Sequence, residues 1–142
     1  MKNIAPQLKK FLLFFTLITF LAAPAVSCSA FGEKAECDFS VYTDETLILS
    51  DSAMTFNGGK SVLDILKAAT RAAKIQMDYS GAGALAYVRG IDNLYEFDKG
   101  PESGWVFYVN GELSRRGAGA YKIYDGDVVV WKYVLSVPDE TP

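Results

Sequence analysis

SVLDILKAATRAAK, running from Ser61 to Lys74, is the stretch that sets the fold class, because no other segment reads as an amphipathic helix. Ser61 suits an N-cap, and Asp64 three residues on completes a capping-box pair that satisfies backbone N–H groups of the first turn. Val62, Ile65, Leu66 and Ala69 follow the i, i+3, i+4, i+7 spacing of one apolar face. Lys67, Arg71 and Lys74 lie toward the C-terminal end, where the helix dipole favours cations. The spacing predicts a helix over about Val62 to Ala73. One apolar stripe cannot stand in water, so this helix must lie on a sheet.

The sequence on either side supplies that sheet. CDFSVYTDETLILS is rich in β-formers and predicts strands near Asp38 to Thr43 and Thr46 to Ser50. After the helix, IQMDYS (Ile75 to Ser80) and ALAYVRGI (Ala84 to Ile91) read as two strands joined by the small linker GAG. NLYEFDKGPES reads as a loop closed by Gly100-Pro101. GWVFYV (Gly104 to Val109) meets Asn110-Gly111, a strong hairpin signal because both central residues of the tight turn take positive φ. ELSRRGAGAYKIY, a second tight turn at Asp125-Gly126 and the strand DVVVWKYVLSV complete the chain. Strands, one helix and then several hairpin strands make an α+β domain, small antiparallel sheets curled around one α-helix in a grasp-like layout. The domain is expected to span residues 38–135, after a tether at 28–37 and before a loose acidic tail at 136–142.

The first residues read differently. MKNIAPQLKK carries Lys2, Lys9 and Lys10 with no acid, FLLFFTLITFLAA is apolar throughout, and PAVSCSA offers small residues for cleavage. That is the pattern of a secretory signal peptide over residues 1–27. The apolar run breaks at Pro24, short of the roughly 20 residues a spanning helix needs. AVSC (Ala25 to Cys28) resembles the lipobox of bacterial lipoproteins, with Ala25 where the pattern usually has Leu. A lipidated Cys28 would hold the domain at the outer face of the cell membrane. Cleavage without lipid would leave a secreted protein, and in oxidising surroundings a Cys28–Cys37 disulfide is the competing use of that residue.

Charge excludes one class of partner. The chain has 14 basic and 17 acidic residues; without Lys2, Lys9 and Lys10 the balance is 11 against 17, a net charge of −6. Nucleic acid needs clustered Lys and Arg, and only Arg115 and Arg116 stand side by side.

Aromatic residues crowd the second half. Period-two geometry puts Trp105 and Phe107 on one face of GWVFYV and Tyr108 on the other; along VVVWKYV it groups Trp131 with Tyr133. Both faces of each strand carry apolar side chains. One face is therefore expected to cover the helix and the other to meet a second sheet, a partner or a ligand, with more ring surface than one helix shields.

Taken in order, NGGKSVLDILKAA and then YVRGIDNLYEFDKGPESGWVFYVNGELSRRGAGAYKIYDGDVVVWKYV resemble the transcobalamin-like C-terminal domain family. Its animal members are the C-terminal domains of transcobalamin and intrinsic factor. The resemblance implies a non-enzymatic module that closes over cobalamin or a related corrinoid from one side. In the animal carriers a larger α-helical barrel, which this sequence lacks, holds the other side. By position in the motif it places Ser103, Gly104, Trp105, Tyr108 and Asn110 on the strand and hairpin nearest the ligand, with Arg115, Gly117, Ala118 and Gly119 in the following loop. A corrin offers a broad apolar face fringed with amides, which suits aromatic rings beside polar groups. The glycines of RRGAGAY either let the backbone approach a ligand or serve a loop of unusual φ.

Catalytic equipment is not legible. The chain has no His for base or metal work, and Ser103 lacks both the G-x-S-x-G frame and a His partner. Asp92, Glu96, Asp98 and Glu102 miss the calcium-loop spacing. Two classes of function follow. One is a binding module for a corrinoid, working with a partner barrel or an uptake system. The other is a protein–protein interaction module of the cell envelope with no small-molecule ligand.

Overall fold

In the computed structural model, which describes residues 33–44 and 46–136, the helix stands where its spacing puts it. α1 spans Val62–Ala73. Ser61 Oγ accepts from Asp64 N at 3.2 Å, and Asp64 Oδ2 accepts from Ser61 N at 2.9 Å, which closes the capping box. At the other end Lys74 turns left-handed (φ 57°), and Ile75 N–H donates back to Thr70 O. The expected signal peptide, Cys28 and the tail from residue 137 lie outside the described residues.

Eight strands accompany α1 among the described residues. They are β1 (Lys34–Thr43), β2 (Thr46–Asn57), β3 (Met77–Ser80), β4 (Tyr87–Ile91), β5 (Leu94–Tyr95), β6 (Gly104–Val109), β7 (Glu112–Leu113) and β8 (Val128–Val134). A 3₁₀ turn at Gly83–Leu85 precedes β4. Five strands form one sheet in the order β2-β1-β8-β6-β7, and three form another in the order β3-β4-β5. The α+β class holds.

Several details depart from the sequence expectation. The five-stranded sheet is mixed: β1 and β8 run parallel, with Asp38 opposite Val128 and Thr43 opposite Tyr133. Hairpin rules fix only strands joined by a short turn, and these two are joined by most of the domain. β1 also starts at Lys34, inside the stretch read as a tether. Its inward residues Ala35, Cys37, Phe39 and Val41 are all buried, so the strand has a core face from its first turn of the pleat. β5 lies in the segment read as a loop. It forms because Asp92 (φ 53°) and Asn93 (φ 60°) both take positive φ and fold Leu94 back against Ile91.

Val62, Ile65, Leu66 and Ala69 of α1 join one buried cluster with the inward residues of β1, β4, β6 and β8. Val62 N–H and Leu63 N–H donate to Tyr121 O and Ala118 O, so the loop before β8 serves the first helical turn as an acceptor platform. Among the described residues no helix is long and apolar enough to cross a membrane.

Candidate functional site

The alternation of β6 and β8 decides which rings can meet a ligand. Trp105, Phe107, Trp131 and Tyr133 all point inward and are buried. Trp105 meets Tyr133 edge-on at 5.3 Å between centroids, and Phe107 lies 5.1 Å from Trp131. Trp105 Nε1 donates to Leu94 O at 2.9 Å, and Tyr133 Oη donates to Tyr95 O at 2.7 Å. The expected surplus of ring surface on these strands is therefore corrected: the three-stranded sheet and its loops share with α1 the work of covering them. The exposed rings stand elsewhere, at Tyr79, Tyr87, Phe97 and Tyr124.

One opening reaches the interior set. Between β4 and β6 lies a cleft of about 220 Å³ whose floor is made by Ala86, Val88, Trp105, Phe107, Ala118 and Trp131. Tyr87 forms one wall, and Ser114, Arg115 and Arg116 form the rim. No carboxylate lines it. Partial desolvation of its hydroxyl, then the hydrogen bond to Glu96 and the charge of that carboxylate, push the Tyr87 phenol up to about 12, although the ring itself stands exposed. Arg116 stands 5.7 Å from the Tyr121 ring, which steadies the rim. Trp131 is 2 % exposed, and its Nε1–H has no hydrogen-bond acceptor among the described residues. A buried donor without a partner costs about 1–3 kcal/mol and is uncommon in native proteins.

Three larger depressions lack these features. One of about 330 Å³ between α1 and β2 is bordered by Lys60, Lys67 and Arg71; one of about 410 Å³ lies over Ser40, Tyr42, Val130 and Lys132 on the outer sheet face; one of about 230 Å³ lies over Glu36, Asp38, Asp125 and Gly126. None has a floor of rings.

Of the nine residues singled out in the sequence, Trp105, Arg115, Gly117 and Ala118 come together at the cleft. The other five do not. Ser103 is buried, with its Oγ within hydrogen-bond reach of Gly100 O, Lys99 N and Tyr133 Oη, and acts as an internal tie. Gly104 lies beside Tyr87 Oη, 3.8 Å from where a Cβ would stand. Tyr108 is on the opposite face of β6 under Lys132 Nζ, 5.4 Å from its ring centre. Asn110 sits in the β6–β7 turn (φ 53°), donating to Asp127 Oδ1 and accepting from Val128 N. Gly119 backs onto the 3₁₀ turn: a Cβ there would collide with Gly83 O, and one on Gly117 would lie 2.8 Å from Ala84 O. Neither glycine has positive φ. The close approach that RRGAGAY permits is to the chain's own backbone. Sequence reasoning missed Tyr87, Val88 and Trp131 as cleft residues; the alternation of ALAYVRGI was the available sign for the first two.

A profile described as a domain of unknown function, DUF4430, matches residues 59–134. No curated protein matches the chain by sequence. Among solved structures, haptocorrin in complex with Cbi aligns with a TM-score of 0.60 and 18% identity, over 74% of this chain and 26% of that one. A protein from Ruminococcus gnavus ATCC 29149, to which metal binding has been ascribed, aligns with a TM-score of 0.52 and 16% identity, over 70% of this chain and 96% of that one. The chain thus spans about a quarter of the haptocorrin it matches. At these identities the likeness is one of fold. Among the described residues, no group of three or more His, Cys, Asp or Glu side chains is placed to hold a metal ion.

Proposed function

Because this chain belongs to the DUF4430 family and has a transcobalamin-like fold, we propose that it is an exported, non-catalytic binding module whose β4–β6 cleft takes part of a corrinoid or similar ligand. The observation that carries the reading is the cleft itself, a ring-floored opening with Arg115 and Arg116 at its rim. The fold likeness to haptocorrin, solved with Cbi, supplies the ligand class. At about 220 Å³ the cleft is too small for a macrocycle, so it would hold one edge while a partner barrel or uptake protein covers the rest.

A grasp-like description of the fold is supported by the parallel β1–β8 pair at the sheet centre with α1 packed into the same core. Export rests on the leader pattern of residues 1–27, and attachment to the outer membrane face on a lipid at Cys28. The burial of Cys37, a free thiol only 1 % exposed on the core face of β1, speaks against its use in a disulfide with Cys28 and so favours the lipid. The absence of histidine from the sequence supports a role without acid–base or metal catalysis. The alternative, an envelope interaction module without a small ligand, is favoured by one observation, the half-buried outer face of β6 and β8 at Val106, Tyr108 and Val130.

Calorimetric and visible-spectrum titration of the purified chain with cobinamide and cobalamin tests the reading. Heat and a spectral shift are expected with a Kd at or below the micromolar range, weakened at least about tenfold by Arg116→Ala. No signal with either corrinoid at about 1 mM sinks the corrinoid reading and leaves the interaction module.

A further inference from the structure

β2 is an edge of the five-stranded sheet, and its last residues leave backbone without a partner strand. Gly58 N–H donates to Glu33 O, which fixes the phase of the β1–β2 ladder. Alternation then turns the backbone groups of Met54 and Phe56 toward β1 and those of Thr55 and Asn57 outward. Glu36, opposite Thr55, keeps the same phase from the other side, its N–H leaving β2 to donate to Asp125 Oδ1. Earlier in the strand the edge is blunted by two register shifts and by Asp51 Oδ1, which accepts from Ala53 N. From Met54 to Asn57 the register is regular, and among the described residues no strand lies on the outer side.

This edge runs along the groove of about 330 Å³ between α1 and β2. Met54, Phe56, Ile65 and Ala68 give the groove apolar walls, and Lys60, Lys67 and Arg71 set three cations against one carboxylate. That carboxylate, Asp64, is held by Ser61 N–H and Oγ in the capping box. Lys67 Nζ rests on a neutral acceptor, Tyr79 Oη, at 3.0 Å. Among the described residues the Arg71 side chain has no hydrogen bond or ion pair, and that of Lys60 has only the Coulombic pull of Asp64. In a chain of net charge −3 the groove is a local positive site. We propose that the end of β2 takes an extended acidic segment of a partner protein, which adds a strand at Thr55 and Asn57 and turns its carboxylates toward α1. The groove shares no residue with the β4–β6 cleft, so this edge is a second site.

Strand geometry sets the motif. Phe56 points inward and is buried, so the exposed Thr55 side chain points to the outer sheet face. Directly opposed residues share a face, so the residue bonded to Thr55 also faces out and its two neighbours face α1. The motif is therefore an acid, one residue that keeps an extended backbone, and a second acid. Carboxylates meet the guanidinium and ammonium groups in charge-assisted hydrogen bonds, and a basic segment is repelled. A surface of anionic lipid could meet the cations but not use the strand edge. A second copy could use the edge, but its β2, TLILSDSAMTFN, carries one acid, Asp51, whose carboxylate is already engaged by Ala53 N.

The test is fluorescence anisotropy of a dye-labelled probe peptide, about nine residues of alternating Glu and Thr, titrated with the purified chain. Saturable binding is expected, with a Kd of about 10–100 μM. The double variant Lys60→Ala, Arg71→Ala removes two exposed side chains and should keep the wild-type unfolding midpoint while weakening the probe at least about tenfold. Salt at about 0.5 M should weaken it as well. A probe N-methylated at its Thr residues keeps the charge, loses the strand bonds and should not bind. In the ¹⁵N-labelled chain the amides of Thr55 and Asn57 should be among those the probe shifts most. Silence of the probe at about 1 mM overturns the assignment, as does equal binding of the N-methylated probe or of one with Lys in place of Glu. Shifts confined to other residues overturn it too. Phosphatidylglycerol vesicles that bind where the probe does not give the groove to a membrane. A doubled solution mass, with the Thr55 amide protected from exchange in the unliganded chain, gives the edge to a second copy; either result defeats the acidic segment.

Discussion

Ser103 Oγ lies 2.8 Å from Tyr133 Oη in the interior, and Tyr133 Oη donates a hydrogen bond to Tyr95 O at 2.7 Å. The relation ties β8 to the loop between β5 and β6, and it gives Ser103 a structural role. Tyr133→Phe leaves Tyr95 O and Ser103 Oγ short of a partner in a dry place. It should cost about 1–3 kcal/mol, and Ser103→Ala about 1 kcal/mol. Urea unfolding of the two single variants and the double should show non-additivity, because the side chains share one hydrogen-bonded chain.

Gly119→Ala should cost about 2–4 kcal/mol or stop the domain folding, since its Cβ would strike Gly83 O, a backbone atom that cannot step aside. The same loop offers Ala118 O and Tyr121 O to the first turn of α1, so helix content should fall with stability. Circular dichroism during urea titration reads both. A wild-type midpoint for this variant means the loop and the 3₁₀ turn are not in contact.

Cys37 should be inert in the folded protein. Burial, followed by the charges of Asp127, Asp38 and Asp51, pushes its thiol up to about 11. At pH 8 roughly 0.1 % is then thiolate, against roughly a quarter for an ordinary cysteine. Thiol labelling should run at least about 100-fold slower in buffer than in denaturant. Fast labelling of Cys37 under native conditions, located by peptide mass spectrometry, would contradict the burial of β1.

Acid should loosen the start of α1. The Ser61 backbone N–H on its carboxylate holds the Asp64 pKa below the usual range. A group depressed on folding stabilises above its unfolded value, near about 3.9, and that contribution is lost as pH falls through the folded value. The stability of the wild type should therefore decline below about pH 4 more steeply than that of Asp64→Asn. Ser61→Ala should lose about 1 kcal/mol near neutrality through the cap.

What could be read beforehand was what is local. The limits of α1, its capping box and the Asn110-Gly111 turn each depend on a few consecutive residues and came out as spaced. Asp92-Asn93 makes the same kind of turn without a glycine, and so passed for loop. The pairing of β1 with β8 is long-range; alternation tells which side chains share a face but not which strand lies alongside. Of the motif's residues, Trp105, Arg115, Gly117 and Ala118 come together at the candidate cleft, whereas the two-residue period puts Tyr108 on the other face of β6. Trp131 was visible as an inward ring, yet no pattern in a sequence marks a donor left without an acceptor.

The adjacency of the first strand to the last has a kinetic corollary. Asp38 finds Val128 across ninety residues of chain, so the central ladder cannot zip until nearly the whole domain has left the ribosome. Until then Phe39 and Val41 have only the β1–β2 hairpin beside them, and the core face of β1 stays uncovered. Closure of the sheet centre is thereby deferred to the end of synthesis, and that delay is written into strand order.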